Sequence, residues 1–216
     1  MNFTLSRVFR VGLAAAFLVF WSIATGRPSN DAALEPWRAA GEASRTHVIR
    51  LARAAFDHYV VKKEVMQAPK TSLPLLRQRI GVFVSTMRFG APRCCMGTIY
   101  PTEPDAAHEI IASATAAAGR DRRFPAIKPA ELSHLTLIVS IVGAPRAISE
   151  EDLSRLDPTR DGLVVRHDDR VGVILPGETS SLEKMLAWGK KRAGLTPGSK
   201  VELFRIDAVR WIEQKK

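Results

Sequence analysis

Arg93-Cys94-Cys95-Met96-Gly97 is the stretch of this chain whose side chains are best suited to chemistry. A thiolate is a strong nucleophile, a neighbouring guanidinium favours it, and a glycine two residues on lets a ligand approach the backbone. On a strand, successive residues point to opposite faces, so at most one of the two thiols can face a given pocket. Two accounts stay open. Either one cysteine is reactive, with Arg93 binding an anion or activating the thiol, or one is a small core residue beside a semi-exposed neighbour, since buried unreactive thiols are common. A thiol hydrolase also needs a base. None of the five histidines (His47, His58, His108, His134 and His167) carries a signature tying it to the cysteines. His58 and His108 fall on helical segments and His167 in a turn beside Asp168 and Asp169, where surface roles are the plainer account.

Arg120-Asp121-Arg122-Arg123-Phe124-Pro125 sets three cations, an acid and an aromatic between a helix end and a proline. Arg120 and Arg123 present planar forks of donors suited to a phosphate or carboxylate. Equally, Arg120 can complement the preceding helix C-terminus while Asp121 pairs locally and Phe124 anchors the loop. Two cysteines are too few for a disulfide scaffold or a four-cysteine zinc site. The chain has no GxxxxGK[ST], GxGxxG after a strand, HExxH or GxSxG motif, so neither a cofactor nor a metal is expected.

The elements that must position these residues follow from periodicity. Val48, Leu51, Ala52, Ala55, Phe56 and Tyr59 make the apolar stripe of a helix over 42–64, with His47, Arg50, Arg53 and Asp57 off the stripe on a solvent-facing basic side. Further helices are expected over 104–118, ending at Gly119, and over 181–193 behind Ser180 and Glu183. Ile80–Thr86 and Cys94–Tyr100 read as strands joined through Gly90 and Pro92, and Leu135–Val142 as a buried strand. Runs at 162–166 and 171–175 form a hairpin, and 201–212 a last strand. Strands pairing through tight turns among helices predict a single α+β domain, its mixed, largely antiparallel sheet packed with three main helices.

The 216 residues carry 32 Lys/Arg against 22 Asp/Glu, a formal charge of +10. Arg7 and Arg10 precede the uncharged run 11–26, VGLAAAFLVFWSIATG, which ends in small residues. This is the pattern of a signal peptide over 1–26, or of an N-terminal membrane anchor if it is not cleaved. The expected location is therefore periplasmic or secreted, with membrane contact only through residues 11–26. Residues 27–41 read as a linker and 42–216 as the folded domain. Residues 27–101 hold twelve Lys/Arg against five Asp/Glu, whereas 102–216 hold eighteen against seventeen. The excess cations are spread along one helix and two strands with few interleaved aromatics, so nucleic acid is not an expected partner.

Taken in order, these blocks resemble the AMMECR-type domain family, named after the Alport-syndrome, midface-hypoplasia and elliptocytosis chromosomal region. Arg93, Cys95, Gly97 and Thr98 match its Arg-Gly-Cys-Ile-Gly-Thr hallmark, with Cys94 in place of the glycine and Met96 in place of the isoleucine. Arg120, Asp121, Arg123, Phe124 and Pro125 match its Arg-Asp-x-Arg-Phe-Pro block. Asp161-Gly162-Leu163 and Gly172, Leu175 and Pro176 match later elements. The resemblance implies an α+β domain in which the blocks converge on one cleft, with Cys95 as the family cysteine. That cleft would bind a small anionic ligand or a partner through Arg93, Gly97, Thr98, Arg120, Asp121, Arg123 and Asp161. The alternative it leaves open is an enzyme or accessory subunit using Cys95 as nucleophile or redox thiol. Memo-like and radical SAM proteins are the pathway partners it suggests. A cysteine in place of the hallmark glycine would strain the backbone if that position needed a positive φ.

Overall fold

Eight residues of almost unbroken Leu, Ile and Val, Leu135–Val142, form a strand buried along nearly its whole length, and the sheet is built outward from it. The computed structural model describes residues 30–214; the expected signal peptide or membrane anchor over 1–26 lies outside them. In chain order come α1 (Asn30–Arg38), α2 (Glu42–Lys62), β1 (Gly81–Arg88), β2 (Ala91–Gly97), α3 (Ala106–Gly119), β3 (Leu135–Val142), β4 (Arg146–Ile148), α4 (Glu150–Leu153), β5 (Asp161–His167), β6 (Arg170–Ile174), α5 (Leu182–Arg192) and β7 (Glu202–Ile212). The strands run in the order β2-β1-β3-β7-β5-β6, with β4 also paired to β7. The expected α+β domain is present, and its sheet is antiparallel in every pairing, with no parallel member among the described strands.

The β1–β2 hairpin turns on two residues, Phe89 and Gly90, both at positive φ, as the right-handed twist of the strands requires. Pro92 therefore belongs to β2 rather than to the turn. It sits opposite Met87 beside an irregularity in the register, on an edge strand, where a missing N–H is tolerated.

Alternation divides the sheet into two faces. Val82, Val84, Leu137, Val139 and Trp211 pack beneath α1, α2 and α3. On the same face but the other half of the sheet, Leu163, Val165, Ile174 and Leu203 pack beneath Met185 of α5. A Cβ at Gly172 would stand 1.9 Å from the Gly189 carbonyl oxygen, so α5 can lie this close to β6 only over glycine. The opposite face carries Phe83, Val142, Val164, Leu175 and Ile206. Because β1–β2 and β5–β6, from the two ends of the strand order, line one groove on this side, it is the concave face of a curled sheet.

Two expectations change. Residues 30–38 are not a tether: α1 buries Leu34 and Trp37 completely, and Trp37 donates from Nε1 to Gln78 Oε1 at 2.8 Å and stacks 5.6 Å from Trp211. Burial of one indole overrides the linker-like composition around it. Arg53 does not face solvent either. It donates to the Leu135 carbonyl at 2.9 Å and pairs with Glu213, tying α2 to the two ends of the sheet's central strands.

Candidate functional site

The two cysteines fall on opposite faces of β2. Cys94 points into the helix-covered core, 2% exposed, with Sγ 3.1 Å from Thr86 Oγ1, and burial pushes its thiol up to about 11. Its backbone is ordinary for a strand: among the described residues the non-glycines at positive φ are Lys63, Phe89 and Asp168. Cys95 packs with the concave-face cluster. Burial first, then the negative charge of Glu178, push its thiol up to about 12, against the opposing pull of Arg123 and Arg192. Both thiols are free. A thiol so placed is almost wholly protonated at neutral pH and a weak nucleophile.

The backbone of Cys95, rather than its sulfur, is what the Arg-Asp-x-Arg block engages. Asp121 Oδ2 accepts the Cys95 N–H at 2.8 Å, and Arg123 Nη2 donates to the Cys95 carbonyl at 2.6 Å. The acid and the base are themselves joined, Arg123 Nε to Asp121 Oδ1 at 2.8 Å and Nη2 to Oδ2 at 2.7 Å. Burial raises the Asp121 carboxyl, but the Arg123 hydrogen bond and the N–H donors outweigh it and hold the group below its ordinary value. The pair thus takes the place of one residue of a neighbouring strand on the open edge of β2, satisfying groups that would otherwise template association.

Arg93 is occupied in the same way. Nε and Nη2 grip Glu131 at 2.9 and 3.1 Å, and Nη1 donates to the Pro125 carbonyl at 2.9 Å. Arg88 adds a contact to Glu131 at 3.2 Å. The Arg93 hydrogen bonds hold the Glu131 carboxyl down to about 2. Gly97 lies opposite Phe83, where a Cβ would stand 2.1 Å from the Val82 carbonyl oxygen, so β2 approaches β1 at this point only through glycine. Thr98 donates to Glu109 Oε1 at 2.6 Å. Glu109, 1% exposed on α3, also accepts the backbone N–H groups of Thr102 and Glu103 at 2.8 and 2.9 Å, holding the loop that leaves β2. Arg120 is exposed and lines a side cleft of about 190 Å³ together with Arg122 and Asp121.

Asp161 stands apart from this group. It shares the helix-bearing face with Leu163 and Val165, accepts the Asp157 N–H at 2.8 Å and pairs with Arg205 at 3.0 Å. The structure therefore brings Cys95, Asp121 and Arg123 into contact, sets Arg93 beside them and Gly97 and Thr98 on the rim of the concave groove. Arg120 lines the side cleft next to Arg93 and Asp121, and Asp161 lies elsewhere.

That groove, about 510 Å³, runs between Ile99 and Tyr100 on one wall and Val164, Val171, Val173 and Phe204 on the other. Arg166 lies at its rim, with Nε on Glu202 at 2.6 Å and its guanidinium carbon 4.6 Å from the centre of the Phe204 ring. The terminal amino groups of Arg166 have no partner among the described residues. No group of three or more His, Cys, Asp or Glu side chains among the described residues could hold a metal ion. Sequence reasoning missed Glu109, Glu131, Glu178 and Arg166: Glu131 and Arg166 act through partners distant in the chain, and no local pattern marks Glu109 or Glu178. The alternation of Val171 and Val173 with Gly172 was the available pointer to a groove wall.

A curled antiparallel sheet with helices on one face and an edge strand clamped by Asp121 and Arg123 defines the class. The profile of the AMMECR1 family matches residues 49–213, and the chain belongs to that family. A curated protein of Thermotoga maritima is 34% identical over 169 residues, covering 76% of this chain and 95% of its own. One from Thermococcus gammatolerans is 35% identical over 162 residues, covering 69% and 78%. The crystal structure of the uncharacterized protein PH0010 from Pyrococcus horikoshii is similar with a TM-score of 0.69 and 29% identity, over 76% of this chain and 88% of that one.

Proposed function

We propose that this AMMECR1-family protein is a binding module whose concave groove holds an elongated apolar ligand with an acidic end, and that Cys95 performs no nucleophilic chemistry. The observation that carries the reading is the groove itself: about 510 Å³, walled by aliphatic and aromatic side chains, with one guanidinium at the rim. Volumes of roughly 300–1,000 Å³ with few convergent polar groups are those of small-molecule sites. Arg166, engaged by Glu202 only through Nε, offers its terminal amino groups to the acidic end, and Tyr100, 64% exposed, gives the ligand's apolar body an aromatic surface at the mouth. The raised thiol of Cys95 and the internal ion pairs of Arg93 and Arg123 speak against a thiolate site with arginines held ready for an anionic substrate.

The dye anilinonaphthalene sulfonate, an apolar ring system with one anionic group, tests this by fluorescence titration. One saturable site is expected in the native protein. Val171→Glu removes it and Arg166→Gln weakens it about tenfold, the loss of one charge-assisted contact. Binding that ignores both substitutions sinks the proposal. Export belongs to the same proposal and is supported by the basic-then-apolar pattern of residues 1–26. Partnership with Memo-like or radical SAM proteins is supported by family membership alone.

A further inference from the structure

We infer a second ligand site on the concave face, built on Arg210 and Ser140, that takes a carboxylate. Arg210 on β7 pairs directly with Ser140 on β3, and Ser140 with Phe83 on β1. Directly opposed residues project from the same face of a sheet. That face is the concave one, because Trp211, the next residue, packs under α1, and Ala208, two residues before Arg210, joins the concave cluster.

Two polar atoms here are buried without a hydrogen-bond partner: Ser140 Oγ, in a residue 0% exposed, and Arg210 Nε. Buried polar groups are nearly always satisfied, and a cationic one costs more than a neutral one to leave unmatched. Arg53, Arg93, Arg123, Arg192 and Arg205 each have a carboxylate within ion-pair distance. Arg210 has none among the described residues, and its one hydrogen bond runs from Nη1 to the Pro176 carbonyl at 2.5 Å.

That bond decides the chemistry. With Nη1 held by a carbonyl, the edge formed by Nε and Nη2 is left, and two parallel N–H donors in a plane match the two oxygens of a carboxylate. The hydroxyl of Ser140 is a third donor on the neighbouring strand. The guanidinium is also built in. Gly177, at φ +72°, closes over it so tightly that a Cβ would stand 2.5 Å from Nη1, while the Gly177 N–H is fixed by the Pro158 carbonyl at 2.8 Å. Rigid placement of the donors lowers the cost of binding a small ion. The site does not rest on the Arg166 rim: Arg166 stands opposite Glu202 at the start of β7 and Arg210 lies near the end of that strand, with Phe204, Ile206 and Ala208 of the concave cluster between them.

Solution NMR of the full chain, titrated with sodium acetate against a sodium chloride control of equal ionic strength, tests it. The arginine Nε–H signal of residue 210 is assigned by its disappearance in Arg210→Lys. The expected result is a saturable shift of that signal and of the Gly177 amide with acetate. Ser140→Ala weakens the acetate response about tenfold, as for one hydrogen bond to a charged group, while Arg166→Gln leaves it intact. An identical response to chloride, or no saturable response, means that water alone satisfies Arg210 and Ser140, and overturns the site. Tighter binding of inorganic phosphate than of acetate overturns the carboxylate assignment.

Discussion

At the scale of single residues, Cys95 looks in sequence like the reactive group, and its surroundings argue the reverse. An arginine two positions away lowers a thiol pKa only if its charge is free, and Arg93 spends its charge on Glu131. Arg123 approaches from the backbone side and is neutralised by Asp121. Burial and the negative charge of Glu178 favour the protonated form and outweigh what pull Arg123 and Arg192 retain. Alkylation by iodoacetamide across pH reads this directly. Cys95 in native protein should react more slowly than free cysteine at about pH 8.5, the ordinary thiol value, with the rate still rising toward pH 12; in urea both thiols should react as free cysteine does. A rate that levels off below about pH 8 would restore the nucleophile.

At the scale of elements, β2 is an edge strand whose outer side is stitched down by side chains: Asp121 and Arg123 at Cys95, and the Arg93–Glu131 pair two residues earlier. Glu131 makes that stitching pH-dependent. Its carboxyl titrates at about 2 in the folded chain against an ordinary 4.5. Because the folded value is depressed, its contribution is complete above pH 4.5 and is lost as pH falls from there toward 2. Glu131→Gln should therefore be less stable than the parent by about 1–3 kcal/mol at neutral pH, and urea midpoints should converge as pH drops through that window. A gap constant with pH would assign the loss to shape rather than charge. The sequence pattern carried the hairpins, β3 and three helices, because local periodicity and turn residues determine them. It also marked Arg93, Asp121 and Arg123 as a set. Their roles were hidden because the bonds that define them span long separations, 26 residues from Cys95 to Asp121 and 38 from Arg93 to Glu131. Arg210 was illegible for the same reason: its meaning lies in Ser140 on β3 and in Gly177, in the turn that follows β6.

At the scale of the whole molecule, the question is where the domain begins. The family profile starts at residue 49, and composition alone places a linker up to 41, yet α1 closes one end of the helix-covered core. Pro36 and the alanines around it disguise a helix whose stability comes from packing, since a nine-residue helix is marginal by itself. Leu34 and Trp37 are 0% exposed, and the Trp37 indole bridges Gln78, just ahead of β1, and Trp211 near the end of β7. Trp37→Ala should cost about 3–5 kcal/mol, the range for truncating a buried aromatic, read as a lowered urea midpoint with an unchanged slope. Glu35→Ala, on the exposed side of the same helix, removes only a surface pair with Arg38 and should change stability by less than about 1 kcal/mol. Equal, small losses for both would mean that α1 is an appendage and that the domain starts at α2; a large loss confined to Trp37 makes residues 30–38 part of the fold, one of the helices that cover the face of the sheet opposite the groove.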